Sequence, residues 1–318
     1  MERDYDIVIA GGGLAGLTAG VTAARLGRKT LVLTGDMIGG QLISIEKIEG
    51  FPGFPDGVPG YDLGPMTQEE AANAGAEFAA TELTGLAQEA EGWRLATGEG
   101  EVSTRAVVLA TGSSLKELGV PGEARLRGQG VSHCASCDAP LLRQKIAAVV
   151  GGGDSAMQEA LTLAQHVSQV VMLTRGPALT GQASYRARVT QEPKITVRPN
   201  VEIREILGDS KVTGVRMRDM SDGATSELQA DAVFVYIGLQ PNTAFVDRLM
   251  TLAPAGGIPT DGSMRTELIG ICAAGTVRSG ASCRAASSAG DGAAAAIAVD
   301  RYLTDGVWRQ ERIKERAL

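Results

Sequence analysis

The sequence predicts an α/β chain of two doubly wound, three-layer units, the second inserted in the first. Three observations carry this. A short apolar strand, a glycine-rich break and a helix occur twice; Gly11 maps onto Gly151 and Thr34 onto Thr174 at one offset of 140 residues. Each copy is followed by charge-punctuated strand-like sequence that closes on an apolar run ending in glycine, Val107–Gly112 and Ala232–Gly238. The last stretch is too short for a domain of its own and is expected to return to the first unit. The expected division is 1–116 for the first segment of the outer unit, 117–242 for the inserted unit and 243–318 for the second outer segment with its tail.

Residues 5–10 (YDIVIA) are apolar and β-rich, and the break GGGLAG from Gly11 to Gly16 ends that strand. A helix from Leu14 to Leu26 follows, with Gly27 placed to end it, and residues 29–34 (KTLVLT) read as the next strand. The second copy runs from the strand 146–150 (IAAVV) through GGGDSA, Gly151 to Ala156, into a helix to about Val167 and the strand 169–174 (QVVMLT). In such a βαβ unit the first glycine makes a tight turn, the second lets backbone approach a pyrophosphate, and the third position, Gly16 or Ala156, keeps the helix close to the sheet. One such motif is a weak signal, but two in matching contexts predict two Rossmann-like dinucleotide-binding units. Residues 115–120 and 239–243, the latter holding Pro241, read as linkers. Beyond them come a strand over 269–275 (IGICAAG) and a serine- and alanine-rich helix to about Tyr302.

Composition narrows the function. The 42 glycines in 318 residues are roughly twice the ordinary share of ~7%, as expected where backbone wraps a ligand. A net charge of −7 leaves no broad basic surface and predicts no nucleic-acid partner. The first residues lack the pattern of a secretion signal, and no run approaches the ~18 apolar residues of a membrane helix. The chain is therefore expected in the cytoplasm, without a membrane partner. Four cysteines are too few for a disulfide scaffold.

Between the two units lies His133-Cys134-Ala135-Ser136-Cys137-Asp138. Two intervening residues let Cys134 and Cys137 close a small disulfide, and a helix starting there lowers the pKa of the first thiol. A zinc site needs four ligands; the remaining Cys272, Cys283, His133 and His166 form no second pair of suitable spacing, so no metal is expected. The spacing favours a redox disulfide over zinc or an inert reduced pair. Asp138 either caps the helix or serves a thiol as acid and base, and His133 is a loop residue or a proton carrier for Cys134.

Taken together, these residues resemble the low-molecular-weight thioredoxin reductases over nearly the whole chain. The resemblance rests on GGGLAG at Gly11, Gly39-Gly40-Gln41-Leu42, Phe51-Pro52-Gly53, Ala110-Thr111-Gly112, CASCD at Cys134, GGGDSA at Gly151 and Ala273-Ala274-Gly275. It implies an FAD domain in two chain segments with a pyridine-nucleotide domain inserted. FAD would be met by Gly11, Gly13, Leu14, Ala15, Gly16, Gly39, Gly40, Gln41, Leu42, Ala110, Thr111, Gly112, Gly275, Thr276, Arg284 and Ala285. NADPH would be met by Gly151, Gly153, Asp154, Ser155, Ala156 and Arg175. The resemblance further implies that the flavin reduces the disulfide through Cys137, that Cys134 attacks a thioredoxin-like dithiol partner, that Asp138 exchanges the proton, and that the protein is a homodimer.

The sequence also departs from the family. Where the family carries HRR followed by a distal Arg, this chain has Thr174-Arg175-Gly176 and Thr180. Only Arg175 remains for a 2′-phosphate, and each lost charge-assisted bond is worth ~1.5–3 kcal/mol. NADPH is thus expected to bind poorly. The electron donor stays open between a nicotinamide nucleotide and a nicotinamide-independent route, with ferredoxin or, in reverse, oxygen at the other end; a non-catalytic redox sensor is a further alternative. Thr276 stands where the family has an Asp, Cys283-Arg284 replace an Arg-Gln pair, and Gly50 replaces an Asn. In the tail, 307–318, Trp308 is expected either at a solvated helix end or folded over the flavin face.

Overall fold

The structure, a computed structural model, describes residues 4–246 and 248–308. The chain divides into two compact units, Met1–Ser114 with Gln240–Leu318 and Leu115–Leu239, slightly upstream of the expected cuts. In the first unit the order is β1 (Tyr5–Ala10), α1 (Leu14–Arg25), β2 (Thr30–Leu33), α2 (Gly60–Asn73), β3 (Glu77–Ala79), β4 (Leu83–Glu89), β5 (Gly92–Thr97), β6 (Gly100–Leu109) and β7 (Ser113–Leu115). The second unit contributes β8 (Val131–Ser132), α3 (Ala135–Asp138), β9 (Ile146–Val150), α4 (Asp154–Ala164), β10 (Gln169–Leu173), α5 (Ala183–Gln191), β11 (Ile195–Arg198), β12 (Val201–Leu207), β13 (Gly214–Asp219), β14 (Thr225–Gln229) and β15 (Ala232–Val235). The chain returns through β16 (Leu239–Pro241) to β17 (Ile271–Ala273) and α6 (Ala285–Asp305).

The outer unit's sheet runs β3-β2-β1-β6-β5-β4, with β17 also on β6. The strands β3, β2, β1, β6 and β17 pair in parallel, and β4–β6 form an antiparallel meander. The inserted unit has an all-parallel sheet β11-β10-β9-β15-β8 and a separate antiparallel sheet β12-β13-β14. Parallel strands covered on both faces need near-continuous apolar sequence; accordingly Val8, Ile9, Val107 and Val108 in one sheet and Ala148, Val149, Phe234 and Val235 in the other are fully buried. The repeat extends to register: Ile9 faces Val32 and Val149 faces Met172, the same offset that relates the glycines.

Both segments read as linkers contain strands. β7 and β16 pair into a two-stranded sheet where the chain crosses between units, and Pro241 ends β16 instead of breaking it. The outer unit's glycine and alanine content has a packing cause. A Cβ at Gly292 in α6 would lie 2.1 Å from the Ala15 carbonyl oxygen of α1, so only glycine permits that helix approach, and Ala295, Ala296 and Ala298 continue the buried contact face.

Candidate active site

In the outer unit, Gly11 follows β1 with φ +127°, and a Cβ there would lie 2.1 Å from the Ala110 carbonyl oxygen. Glycine is required on both counts. A Cβ at Gly16 would strike the Gly11 carbonyl oxygen at 1.9 Å, which holds α1 against the turn; one at Gly13 would meet nothing within 4 Å. Gly13 is the N-cap of α1, no side chain caps the helix, and its first turn holds no acid. The positive end of a 12-residue helix therefore opens onto bare glycine backbone, an arrangement suited to a pyrophosphate. The buried Leu14 and Ala15 belong to the helix's core side.

The other expected contacts gather at the same strand ends. Gly39 donates its N–H to the Gly12 carbonyl (2.8 Å) and bridges Gly13; Leu42 donates to Gly39 (3.2 Å), closing a single turn that includes Gly40. Gln41 donates its side-chain amide to the Ser113 carbonyl, beyond Ala110 and Gly112 at the end of β6. Ser113 and Thr276 share a hydroxyl hydrogen bond of 2.9 Å, and Thr111 Oγ1 donates to the Asn242 carbonyl at 2.9 Å. Gly275 precedes Thr276, while Arg284 and Ala285 open α6. These residues fit FAD: an extended dinucleotide needs this glycine cradle at the carboxyl ends of parallel strands.

The chain's own carboxylate at this place comes from a residue the sequence reading missed. Asp291, in α6 and 8% exposed, accepts from the Gly275 N–H at 3.2 Å and from Arg278 Nε at 2.9 Å. Arg278 also reaches Thr260 Oγ1 at 2.9 Å. Thr276 itself carries no charge, and Asp291 anchors the turn from the preceding residue. Its signal was visible: it is the single charge in the run 285–299 (AASSAGDGAAAAIAV).

In the inserted unit Cys134 and Cys137 form a disulfide with Sγ atoms 2.08 Å apart. Cys134 is the N-cap of α3, and its Sγ accepts from the Cys137 N–H at 3.3 Å. An N–H aimed at that sulfur favours its thiolate once the pair is reduced. Ser136 Oγ lies 3.5 Å from the same sulfur, and Ser132 Oγ accepts from the Cys134 N–H. His133 donates from Nδ1 to the Val235 carbonyl at 3.0 Å. Cys134 is half-buried and Cys137 exposed. Asp138 ends α3, and its side chain caps neither that helix nor the following turn, so the expected cap is not formed. Behind the pair, two further residues missed from sequence converge: Glu159 of α4 and Tyr236, whose hydroxyl pKa is driven up by burial and by the Glu159 charge.

The second glycine turn repeats the first with one difference. Gly151 has φ +137°, its Cβ position lies 2.2 Å from the Tyr236 carbonyl oxygen, and Ala156 sits beneath it. Gly153 is the N-cap of α4, but here Asp154 occupies the first turn and accepts from the Gln182 N–H at 2.7 Å, while Ser155 is exposed. A carboxylate thus already stands at the positive helix end. Arg175 is exposed at the end of β10, and Thr180 turns its N–H onto the Gly152 carbonyl at 2.7 Å.

The sequence profile of the pyridine nucleotide-disulphide oxidoreductases matches residues 5–293. The thioredoxin reductase of Treponema pallidum is 37% identical over 95% of this chain and 98% of its own length; that of Bacillus subtilis is 35% identical over 96% of each. The chain belongs to the low-molecular-weight thioredoxin reductase family. It is an FAD-dependent oxidoreductase of that family by fold and descent. Among solved structures, thioredoxin reductase from Lactococcus lactis superposes with a TM-score of 0.92 at 34% identity, covering 95% of this chain and all of that one; the T. acidophilum enzyme gives 0.89 at 33%, with 94% and 98% covered.

Within this thioredoxin reductase fold, Trp308 is not a flavin cover. It is buried, stacks edge-on against Tyr302 at 5.2 Å and donates its indole N–H to the Thr266 carbonyl. Thr266 pairs with Ile271, where β17 begins, whereas Gly275 lies past its end beside Ser288. Tyr302 is 14 residues farther along α6 than Ser288, about 21 Å at 1.5 Å per residue. The rest of the tail, 309–318, lies outside the described residues. Among the described residues no helix is long and apolar enough to cross a membrane.

Proposed function

We propose that this protein passes an electron pair through Cys134–Cys137 to thioredoxin or a similar dithiol protein. The observation that carries the proposal is the disulfide at the start of α3, with the Cys137 N–H directed at Cys134 Sγ. The glycine turn at Gly11, Gly39–Leu42, Ala110–Gly112 and the Gly275–Thr276 turn with Arg284 and Ala285 would hold FAD, which when bound would supply the electron pair. With two electrons and one proton taken up, the Cys134–Cys137 bond opens to a Cys134 thiolate, faced by the Cys137 N–H, and a Cys137 thiol. Cys134 then attacks one sulfur of the partner's disulfide, forming a mixed disulfide and releasing the other partner sulfur, which takes a proton from Asp138. Cys137 attacks Cys134 Sγ in turn, restoring the internal disulfide and freeing the reduced partner. Thioredoxin's potential of about −270 mV is within reach of a reduced flavin.

The donor is the point on which a second reading is favoured by a specific observation. Of the arginines the family carries for a 2′-phosphate only Arg175 remains, with Thr174, Gly176 and Thr180 at the other places, which weakens NADPH binding. Electrons then enter from NADH or from a donor that is not a nicotinamide, such as ferredoxin. Family resemblance further supports a homodimer in the cytoplasm, testable by sedimentation and cell fractionation. Anaerobic titration of the yellow protein with NADPH and NADH decides the donor. Rapid bleaching by NADPH supports the family's usual donor; bleaching only by dithionite or a dithiol supports the nicotinamide-independent route.

A further inference from the structure

Ala135, the residue between Cys134 and Ser136, is fully buried against α4, so the cysteine-bearing turn cannot move without disturbing what lies beneath it. Glu159 Oε2 accepts from the Ala135 N–H at 3.2 Å, and the same oxygen accepts from the buried Tyr236 hydroxyl at 3.4 Å. The carboxylate therefore ties together three elements: α3 through its first amide, α4 on which it resides, and the end of β15 through Tyr236. Asp138 adds a second carboxylate near the phenol. Resting on the dithiol chemistry proposed above, we infer that Glu159 is a positioning residue for the Cys134–Cys137 pair, holding the α3 turn in place and setting the pair's redox equilibrium through its charge.

The sign follows from elementary electrostatics. A carboxylate one residue from Cys134 opposes a thiolate there while leaving the neutral disulfide and the neutral dithiol untouched. Removing the charge stabilises the reduced pair only to the extent that the Cys134 thiolate forms, which the Cys137 N–H favours below the ordinary thiol range. The groups facing the pair are Asp138 from its own helix, His133 before it, Glu159 from α4 and Tyr236 from the end of β15; of these, Glu159 contacts the amide next to Cys134 directly.

The test equilibrates the intact flavoprotein with mixtures of reduced and oxidised dithiothreitol and counts free thiols by alkylation. Dithiothreitol supplies two electrons and two protons as it closes to its own disulfide, and Cys134–Cys137 opens to two thiols. At pH 8.5, Glu159→Gln, which keeps an acceptor for Ala135, shifts the equilibrium about fivefold towards the reduced pair, about 20 mV for a two-electron couple. At pH 6.0, where less of the Cys134 thiol is ionised, the shift is smaller. Tyr236→Phe, which leaves the carboxylate on Ala135, shifts it less than twofold at either pH. Equal shifts at both pH values would mark a structural distortion and overturn the inference, as would no shift at pH 8.5. Should Glu159→Gln fail to fold, Glu159→Asp, which withdraws the charge by one methylene, carries the same test with a shift of about twofold. The readout is independent of donor and partner, so it stands even if turnover with thioredoxin is not observed.

Discussion

Replacing Asp291 by Ala removes two contacts at once: the acceptor of the Gly275 N–H and the partner of Arg278 Nε. The side chains of the pair are only 11% and 13% exposed, so Arg278 is left with a poorly solvated charge, and its remaining bond to Thr260 does not neutralise it. Breaking a buried pair costs ~3–5 kcal/mol. The residual exposure places this one at the lower end, about 3 kcal/mol, which for a unit of this size corresponds to a fall in Tm of about 6–12 °C. If the Gly275–Thr276 turn holds flavin as proposed, FAD retention through gel filtration should fall with it. Asp291→Asn keeps an acceptor for Gly275 and should retain more flavin than Asp291→Ala while losing the ion pair. The assay is calorimetry of holo- and flavin-stripped protein beside the 450 nm flavin absorbance per chain. An Asp291→Ala protein that melts within about 2 °C of wild type with full flavin content would refute the reasoning.

Gly11→Ala and Gly151→Ala impose matching clashes on the two turns, 2.1 and 2.2 Å from a backbone oxygen at positive φ. The first should purify without FAD; the second should keep FAD but lose any nicotinamide-driven bleaching, and equal flavin loss in both would contradict the assignment of separate sites. Arg175→Ala should raise the Kd for NADPH at least tenfold, from a charge-assisted bond of ~1.5–3 kcal/mol, and leave NADH unchanged; an unchanged NADPH affinity would show that Arg175 meets no phosphate. Leu141, 80% exposed four residues past Cys137, offers apolar surface to a protein partner, so Leu141→Asp should raise the KM for thioredoxin several-fold with little change in kcat. Mixing with a thioredoxin that lacks its resolving thiol and carries its remaining cysteine as a thionitrobenzoate mixed disulfide should yield a protein–protein mixed disulfide, with release of thionitrobenzoate, for Cys137→Ser and none for Cys134→Ser; the reverse would exchange the two roles.

Both βαβ units were legible in the sequence because each strand is a continuous apolar run ended by glycine, and each helix starts where the glycines stop. The register of Ile9 with Val32 and Val149 with Met172 follows from that local pattern. The meander β4–β6 and the sheet β12–β14 were not placed, since antiparallel pairing depends on partners that periodicity alone does not name. β7 and β16 are three residues each, too short for a period, and Pro241 masked the second. In the site, the glycine turns and the cysteine pair carry sequence signatures. Glu159 and Tyr236 do not, because each acts by meeting a backbone amide or a side chain distant in sequence, and Asp291 stood out only as the lone charge of residues 285–299. Trp308 was expected either at a solvated helix end or over the flavin face, and its burial against Tyr302 matches neither.

The account's central claim is that Cys134 and Cys137 carry electrons between flavin and a protein disulfide. Its most direct measurement is anaerobic stopped-flow mixing of dithionite-reduced protein with oxidised thioredoxin, following the flavin absorbance. Wild type should recover its yellow colour as thioredoxin is reduced, while Cys134→Ser and Cys137→Ser, with full FAD content, should stay bleached. Recovery of either variant at the wild-type rate would contradict the claim.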